Sequence, residues 1–239
     1  MTPTTGDLRA WYNRHYATQG PASMRPAQAY APLLDLLQLR PGGTLLDVSC
    51  GTGHLLAGTA ARGLRAVGVD LSDQAVRVAR ATAPSALLAV SAGESLCLRS
   101  ASVDYLTCLG SLEHFVDMEA GLREMRRVVR ANARLLIMVP NRRFLGWWVL
   151  GRHGTAQEDI NERLLTLEEW RTLIEGAGFE VLAVHADPWQ AMRFRSGIGS
   201  GRLIRWGGWL VGQLWRLLPI RYEYQFVFLA RPRAAAASA

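Results

Sequence analysis

Short apolar runs that end in glycine or polar turns alternate with helical segments along most of this chain. Seven runs are long and apolar enough to be strands: residues 44–48, 66–70, 86–91, 102–107, 134–139, 179–186 and 222–230. Strands that alternate with helices predict a mainly parallel sheet with helices on both faces. The chain is therefore expected to have an α/β fold.

Helix boundaries are marked by capping and stop residues. Ser72 is a good N-cap for a helix over 73–83, and Thr166 with Glu169 forms a capping box for a helix that ends near Gly176 or Gly178. Further helices are predicted from the glycine turn at 51–53 to about residue 62, and over 117–130.

We expect one domain over residues 1–233, because neither a repeat nor a long linker interrupts the pattern. Its predicted parts are a helical lead-in (1–40), a core (41–141), and a substrate or lid region (142–221) that contains the strand at 179–186. The final strand at 222–230 and a frayed tail (234–239) follow.

Composition excludes several classes of site. All 27 basic residues are Arg, so no lysine is present to form a Schiff base. The three cysteines form no CxxC pair, which argues against a disulfide scaffold or a zinc site and favours a reducing compartment. The spacing of the histidines predicts no metal site.

Charge and hydropathy place the chain in the cytoplasm, in our interpretation. The N-terminal residues lack the apolar segment of a signal peptide, and no run approaches the ~18 apolar residues of a membrane span. The net charge of +7 permits attraction to anionic lipid, acidic substrate or nucleic acid without selecting among them. Exclusive use of Arg is typical of a GC-rich, bacterial genome.

The most informative segment lies between residues 45 and 56, where a strand enters a Gly-x-Gly turn that opens a helix. Asp47 lies at the end of this strand, and Asp70 ends the next strand 23 residues later. An acid at the second position can accept hydrogen bonds from ribose hydroxyls, while Asp47 would repel a pyrophosphate. Leu56 stands where a dinucleotide fingerprint has its third glycine, so a cationic nucleoside without phosphate fits better than NAD.

With these motifs the chain resembles the class I S-adenosylmethionine-dependent methyltransferases, in the broad group that includes small-molecule and quinone methyltransferases. The resemblance is strong over residues 32–141. It rests on these segments: 47–53 (first motif), 67–72 (ribose motif), 91–98 with 102–104 (adenine-side loop and fourth strand), 109–115 (post-strand segment), and 127–130 with 135–141 (run into the fifth strand).

The resemblance implies a Rossmann-like, doubly wound, seven-stranded sheet whose last strand is antiparallel. It implies S-adenosyl-L-methionine as the cofactor and no metal. The residues that it places at the cofactor are Asp47, Ser49, Cys50, Gly51 and Gly53 at the methionine end, Asp70 and Leu71 at the ribose, Gly93 and Glu94 at the adenine, and Cys108 and Leu109 at the end of the fourth strand.

The chain departs from the family pattern at two positions. Ser49 stands where glycine is common, and it is tolerable there if its φ angle is negative but strained otherwise. Ala92 stands where the family often has an Asp that accepts from the adenine amino group, so either Glu94 or backbone groups are expected to replace that contact.

Two residues after the fourth strand are candidates for a general base. His114 is the first and Glu113 the second, and each would need an acceptor hydroxyl within hydrogen-bond reach. A structural role is the alternative for both. Tyr12 and Tyr16 either close over the cofactor or pack the lead-in helix on the core, whereas Cys50 and Cys108 are expected to be packing residues.

The second half is rich in Trp and Arg. Seven of the eight tryptophans follow residue 146, and residues 202–218 carry an apolar stripe at helical spacing with arginines mostly off it. This segment is interpreted as a lid or core helix in preference to a helix on an anionic membrane surface, because three glycines weaken it as an independent helix.

The sequence thus predicts a methyltransferase that acts on the oxygen or carbon of a small, hydrophobic or lipid-like acceptor, with peripheral membrane contact through 202–218 as an open alternative. Methylation of RNA or protein is a second hypothesis, although nucleic acid is disfavoured because residues 108–111 lack an Asn/Asp-Pro-Pro-aromatic motif. A non-catalytic cofactor- or lipid-binding protein is a third, and a dehydrogenase is a distant fourth.

Overall fold

The computed structural model describes residues 3–19, 25–150, 161–189 and 219–234. The strands are β1 (Thr44–Val48), β2 (Arg65–Asp70), β3 (Leu87–Val90), β4 (Val103–Leu109), β5 (Val129–Pro140), β6 (Phe179–Ala186) and β7 (Gln225–Pro232). The helices are α1 (Thr5–Gln19), α2 (Ala31–Leu36), α3 (His54–Ala60), α4 (Asp73–Thr82), α5 (Met118–Val128), α6 (Leu145–Leu150) and α7 (Leu167–Gly176).

All seven strands form one sheet in the order β3-β2-β1-β4-β5-β7-β6. The pairs from β3 to β5 are parallel, and β7 is antiparallel to both β5 and β6. The predicted mainly parallel sheet with an antiparallel last strand is therefore confirmed. Strand order reverses between β1 and β4, and such a reversal opens a crevice at the carboxyl ends of these strands.

The sheet is buried on both faces, which explains why its central strands are continuous apolar runs. In β1 all five residues are buried, and successive side chains point to opposite faces. Leu45 packs with α2 and α3 on one face, and Leu46 packs on the other face in a cluster that contains α5 and Trp170 of α7.

Several predicted boundaries were wrong. The helix predicted over 117–130 ends at Val128, because Val129 already pairs with Val103 as the start of a long β5. β7 begins at Gln225 instead of residue 222, since Ile220–Tyr222 forms a 3-10 turn. Helix α6 was not predicted, because its short apolar run has no cap or amphipathic period to mark it.

The predicted stripe at 202–218 lies outside the described residues, and the proposed division of the chain into lead-in, core and lid region stays a prediction. Among the helices that the structure describes, none combines the length and apolar character needed to cross a bilayer.

Candidate functional site

In the turn after β1, residues 49–53, three residues have left-handed backbone conformations. Ser49, Gly51 and Gly53 have φ angles of +60°, +51° and +83°. Of the two alternatives stated for Ser49, the positive φ angle selects the strained one, because an L-residue pays a steric cost in this region. The turn stays tight through the hydrogen bond from the Cys50 amide to the Val69 carbonyl, 3.0 Å long.

Two glycines allow close approach around this turn. A Cβ atom on Gly53 would lie 3.0 Å from the Cβ of Ala79, so the turn packs directly on α4. A Cβ on Gly93 would lie 2.1 Å from Cζ of Phe115, so only glycine lets the loop after β3 meet that ring.

Asp70 joins the turn to the end of β2. Its Oδ2 accepts from the amide of Gly51 and its Oδ1 from the amide of Ser72, each at 2.8 Å. The side chain is buried, and burial raises the pKa of Asp70 to about 6 although these amides lower it. Two amides occupy only part of the accepting capacity of a carboxylate, which leaves lone pairs for hydroxyl donors.

Asp70 lies in the wall of a cavity at the carboxyl ends of β1, β2 and β4. The cavity is lined by Thr5, Leu8, Tyr12, Tyr16, Ser49, Asp70, Leu71, Gly93, Glu94, Leu109, Gly110, Ser111, His114 and Phe115. Two carboxyl groups and no guanidinium are present in this described lining. The cavity therefore favours a cation over a phosphate group.

The structure divides the predicted cofactor residues into two groups. Those in the cavity wall are Ser49, Asp70, Leu71, Gly93, Glu94 and Leu109. Those buried behind the wall are Asp47, Cys50, Gly51, Gly53 and Cys108. The second group can shape the turn and its backbone, and the binding role of every residue in both groups stays a prediction.

Asp47 is held behind the turn by a strand neighbour that sequence reasoning missed. The Thr107 hydroxyl donates to Asp47 Oδ1 at 2.6 Å across the β1–β4 pair. Burial raises the pKa of Asp47 to about 7, the Thr107 hydrogen bond lowers it, and the negative charge of Asp70 raises it further. Only the sheet register brings Thr107 to Asp47, so the sequence carried no local signal for it.

Helix α1 is tied over the cavity by Asn13. Its Oδ1 accepts from the Ser72 hydroxyl at 2.6 Å, and its Nδ2 donates to Asp73 at 2.7 Å. This places Tyr12 and Tyr16 in the cavity wall, where burial raises the pKa of both phenols. Asn13 was not predicted, because a single Asn in a helix gives no sign of a partner 59 residues away.

The loop after β3 presents Glu94 to the cavity. Glu94 Oε1 accepts from the amide of Val116 at 2.9 Å, which fixes the carboxylate beside Phe115. Ala92 offers no polar side chain at this end of the cavity, so an adenine amino group would have Glu94 and backbone carbonyls as its partners.

The two candidate bases lie in a 3-10 turn, Leu112–His114, after β4. His114 lines the cavity, whereas Glu113 is buried behind it, with its Oε1 4.0 Å from Nε2 of His114. Burial raises the pKa of Glu113 to about 8; the charge of Glu162 adds to this and Arg25 opposes it. Glu113 is therefore largely protonated at neutral pH.

The buried cysteines are poor nucleophiles. Burial raises the pKa of Cys108 to about 12, although Ser111, whose hydroxyl oxygen lies 3.2 Å from the sulfur, lowers it. Burial likewise raises the pKa of Cys50. Within the described ranges, no group of three or more His, Cys, Asp or Glu side chains is arranged to hold a metal ion.

These features fit the cofactor that the resemblance implies. S-adenosylmethionine carries a sulfonium cation, a ribose with two hydroxyls and an adenine, and no phosphate. The buried Asp70 has capacity for hydroxyl donors, the wall is acidic, and Leu71, Leu109 and Phe115 supply apolar surface. A diphosphate would meet Asp70 and Glu94 without a compensating cation in the lining.

Comparison with known proteins assigns the same region. Residues 46–137 match a family model described as a methyltransferase domain. The chain is 33% identical over 180 residues to a ubiquinone biosynthesis O-methyltransferase of Cupriavidus pinatubonensis, covering 66% of this chain and 72% of that protein. It is 28% identical over 165 residues to the enzyme of the same name from Idiomarina loihiensis, covering 60% of this chain and 64% of that protein.

Among solved structures, the fold is similar to that of the [4+2]-cyclase SpnF. The TM-score is 0.69 with 16% sequence identity, and 98% of each chain is covered. At this identity the likeness concerns the fold alone.

The strained Ser49 gives a stability prediction. We expect Ser49→Gly to raise the free energy of unfolding by about 0.5–1 kcal/mol, because relief of left-handed strain exceeds the added chain entropy of glycine. Urea denaturation of both proteins measures the difference. Ser85 is an exposed turn residue whose φ angle is not positive, so Ser85→Gly should instead lower the free energy of unfolding slightly. If Ser49→Gly lowered the free energy of unfolding as much as Ser85→Gly does, the assignment of strain to Ser49 would be contradicted.

Three buried carboxyls give a pH prediction. The folded-state pKa values of Asp47, Asp70 and Glu113 are all raised, so the folded protein binds more protons than the unfolded chain above pH 5. The cofactor-free protein should therefore be more stable at pH 5.5 than at pH 7.5. Glu113 alone should contribute about 2 kcal/mol of that difference.

Urea denaturation of the wild type and of Glu113→Gln between pH 5.5 and pH 7.5 tests the contribution of Glu113 to this pH dependence. The variant cannot ionise, so its stability should fall less steeply with rising pH. Glu119→Gln, an exposed acid on α5, serves as the control and should keep the wild-type slope. Equal slopes in Glu113→Gln and wild type would show that Glu113 is ionised in the folded protein.

Proposed function

Because this chain belongs to the class I S-adenosylmethionine-dependent methyltransferases, we propose that it transfers a methyl group to an oxygen or carbon atom of a small, apolar acceptor. The observation that carries this proposal is the placement of Asp70 and the glycine turn at the wall of an acidic, phosphate-repelling cavity at the strand-order reversal.

The cavity residues divide the binding of the cofactor among them. Asp70 would accept hydrogen bonds from the ribose hydroxyls, and Gly93 with Glu94 would flank the adenine. The turn formed by Ser49, Cys50, Gly51 and Gly53, with Asp47 behind it, would hold the methionine end. Leu71 and Leu109 would complete the wall beside it, with Cys108 behind them.

The bound cofactor supplies a methyl group that is already activated by the sulfonium charge. The remaining work of the protein is to align the acceptor and to exclude water. Tyr12 and Tyr16 of α1 and Phe115 line the cavity, and their role would be to keep water out of it. The anchor between Asn13 and Ser72 holds α1 in place.

A hydroxyl acceptor also needs its proton removed. His114 faces the cavity and is the proposed general base. Glu113 lies directly behind it and is the second candidate, and only the minor ionised fraction of this carboxyl group at neutral pH could accept the proton. An electron-rich carbon acceptor would depend less on either group.

Two observations support an apolar acceptor. The two relatives described above, from Cupriavidus pinatubonensis and Idiomarina loihiensis, are named for ubiquinone biosynthesis. In addition, Phe144, Trp147 and Tyr224 form an aromatic cluster near the carboxyl ends of the strands, with ring centroids 5.1–5.4 Å apart. For residues 202–218, which lie outside the described residues, we keep the prediction of a lid or core helix, with contact to an anionic membrane surface as the alternative.

Calorimetry with S-adenosylhomocysteine, NAD and ATP tests the cofactor assignment. We expect only S-adenosylhomocysteine to bind. Asp70→Ala should weaken it by about 1–3 kcal/mol, because charged hydrogen bonds are lost. Asp104→Ala is a matched control, since the Asp104 carboxylate also accepts a hydrogen bond from a backbone amide, but at the amino ends of the strands, away from the cavity. Unchanged affinity in Asp70→Ala would remove Asp70 from the site.

Turnover is tested with radiolabelled S-adenosylmethionine. The acceptors are a panel of apolar phenols and hydroquinones, bulk RNA, and an unfolded protein mixture. Transfer to the small molecules is expected. Transfer only to RNA or protein would favour the second hypothesis, and binding without any transfer would favour a non-catalytic protein.

A further inference from the structure

A chain of buried polar contacts runs from the segment after α1 to the start of β7. Nη1 of Arg25 donates to both carboxylate oxygens of Asp187, each at 2.8 Å, and Nη2 of Arg25 donates to Oε1 of Gln225. The Asp187 side chain is fully buried, and Gln225 is only 6% exposed.

The Arg25 contact fixes the orientation of the Gln225 amide. A guanidinium has only donors, so Gln225 must turn its carbonyl oxygen toward Arg25. The amide nitrogen of Gln225 therefore points to the other side, and among the described residues it has no hydrogen-bond acceptor of its own.

That amide nitrogen lies beside the cavity wall at Gly110, the residue that follows β4. Nε2 of Gln225 and Oε1 of Glu113 each lie 3.9 Å from the position that a Cβ atom on Gly110 would take. Gly110 itself lines the cavity. The second oxygen of Glu113, Oε2, is buried and has no hydrogen-bond partner in the described structure.

The Gln225 amide nitrogen and the Glu113 carboxyl group thus both lie next to Gly110, directly behind the cavity wall. A buried polar atom without a partner, such as Oε2 of Glu113, is costly, and such an atom in a native structure calls for a functional or bound partner. An oxygen atom of a ligand would satisfy both, since its lone pair can accept from the amide of Gln225 and its hydroxyl proton can bond to Glu113.

We propose that the Gln225 amide donates a hydrogen bond to the acceptor oxygen, with Glu113 beside it, and that Arg25 and Asp187 are positioning residues which hold this amide in orientation. The inference rests on the proposed function and narrows it. An ammonium acceptor would set its own N–H donors against those of Gln225, so the site selects a hydroxyl or phenolate.

Arg25 itself is excluded as the group that contacts the acceptor. Its two terminal nitrogens are taken by Asp187 and Gln225, and Asp187 also accepts from the amide of Trp189 at 3.1 Å. The charges of Arg25 and Asp187 balance each other, and this ion pair affects the acceptor only by holding Gln225.

The test uses 4-nitrophenol, whose absorbance reports both its binding and its ionisation, on the full chain saturated with S-adenosylhomocysteine. Gln225→Met should weaken binding of this probe at least tenfold, the effect of losing one hydrogen bond to a charged oxygen. It should also raise the pKa of the bound phenol, because the amide no longer stabilises the phenolate. The 4-nitrobenzylammonium ion should bind poorly to wild type.

Gln38→Met is the matched control, because Gln38 also accepts from an arginine, Arg134, but at the opposite edge of the sheet. It should leave both readouts unchanged. Arg25→Gln should reproduce the loss seen in Gln225→Met, and Arg25→Lys should restore part of it, as expected of a positioning residue.

Three results would overturn the inference. They are wild-type affinity in Gln225→Met, an unshifted phenol pKa in that variant, and wild-type protein that binds S-adenosylhomocysteine but not 4-nitrophenol. Failure of wild type to bind S-adenosylhomocysteine is a separate result, which overturns the proposed function and this inference together.

Discussion

The carboxylate of Asp70 holds the whole site together. It accepts hydrogen bonds from backbone amides of the turn after β1 and of the N-cap of α4. One side chain therefore fixes the end of β2 to that turn and to α4. The second of these amides belongs to Ser72, whose hydroxyl bonds to Asn13 and so anchors α1. Cavity floor and cover thus depend on one buried acid. Its burial disfavours the negative charge, and that cost is offset when a cation or hydroxyl donors occupy the cavity.

The acceptor side follows a different principle. There the buried groups are arranged in pairs, Arg25 with Asp187 and Glu113 beside His114. His114 of the second pair lines the cavity, whereas the first pair acts through Gln225. A buried ion pair contributes little net stability, so its value lies in orientation. Gln225, set by Arg25, is the clearest example. The fold brings these groups together from the lead-in and from the ends of β4, β6 and β7. Of these three strands, only β6 and β7 are neighbours in the sheet.

Much of this fold could be predicted from the sequence, because β1 and β6 are bounded by glycine, proline or polar turns that fix both ends of each strand. The boundary of α5 was missed because valine suits a strand as well as a helix end. The predicted acids at positions 47 and 70 were correctly located at strand ends. Contacts such as Asp47 with Thr107 depend on sheet register, and those of Gln225 depend on chain segments far apart, so local pattern could not reveal them.

The central claim is that the turn after β1 and Asp70 form a binding site for a sulfonium nucleoside. A crystal structure of the protein with S-adenosylhomocysteine tests this most directly. The account predicts ribose hydroxyl oxygens within about 3 Å of the Asp70 carboxylate, and the adenine between Leu71 and Phe115. Ligand density elsewhere, or a cavity that remains filled by Tyr12 and Tyr16 at saturating ligand, would contradict it.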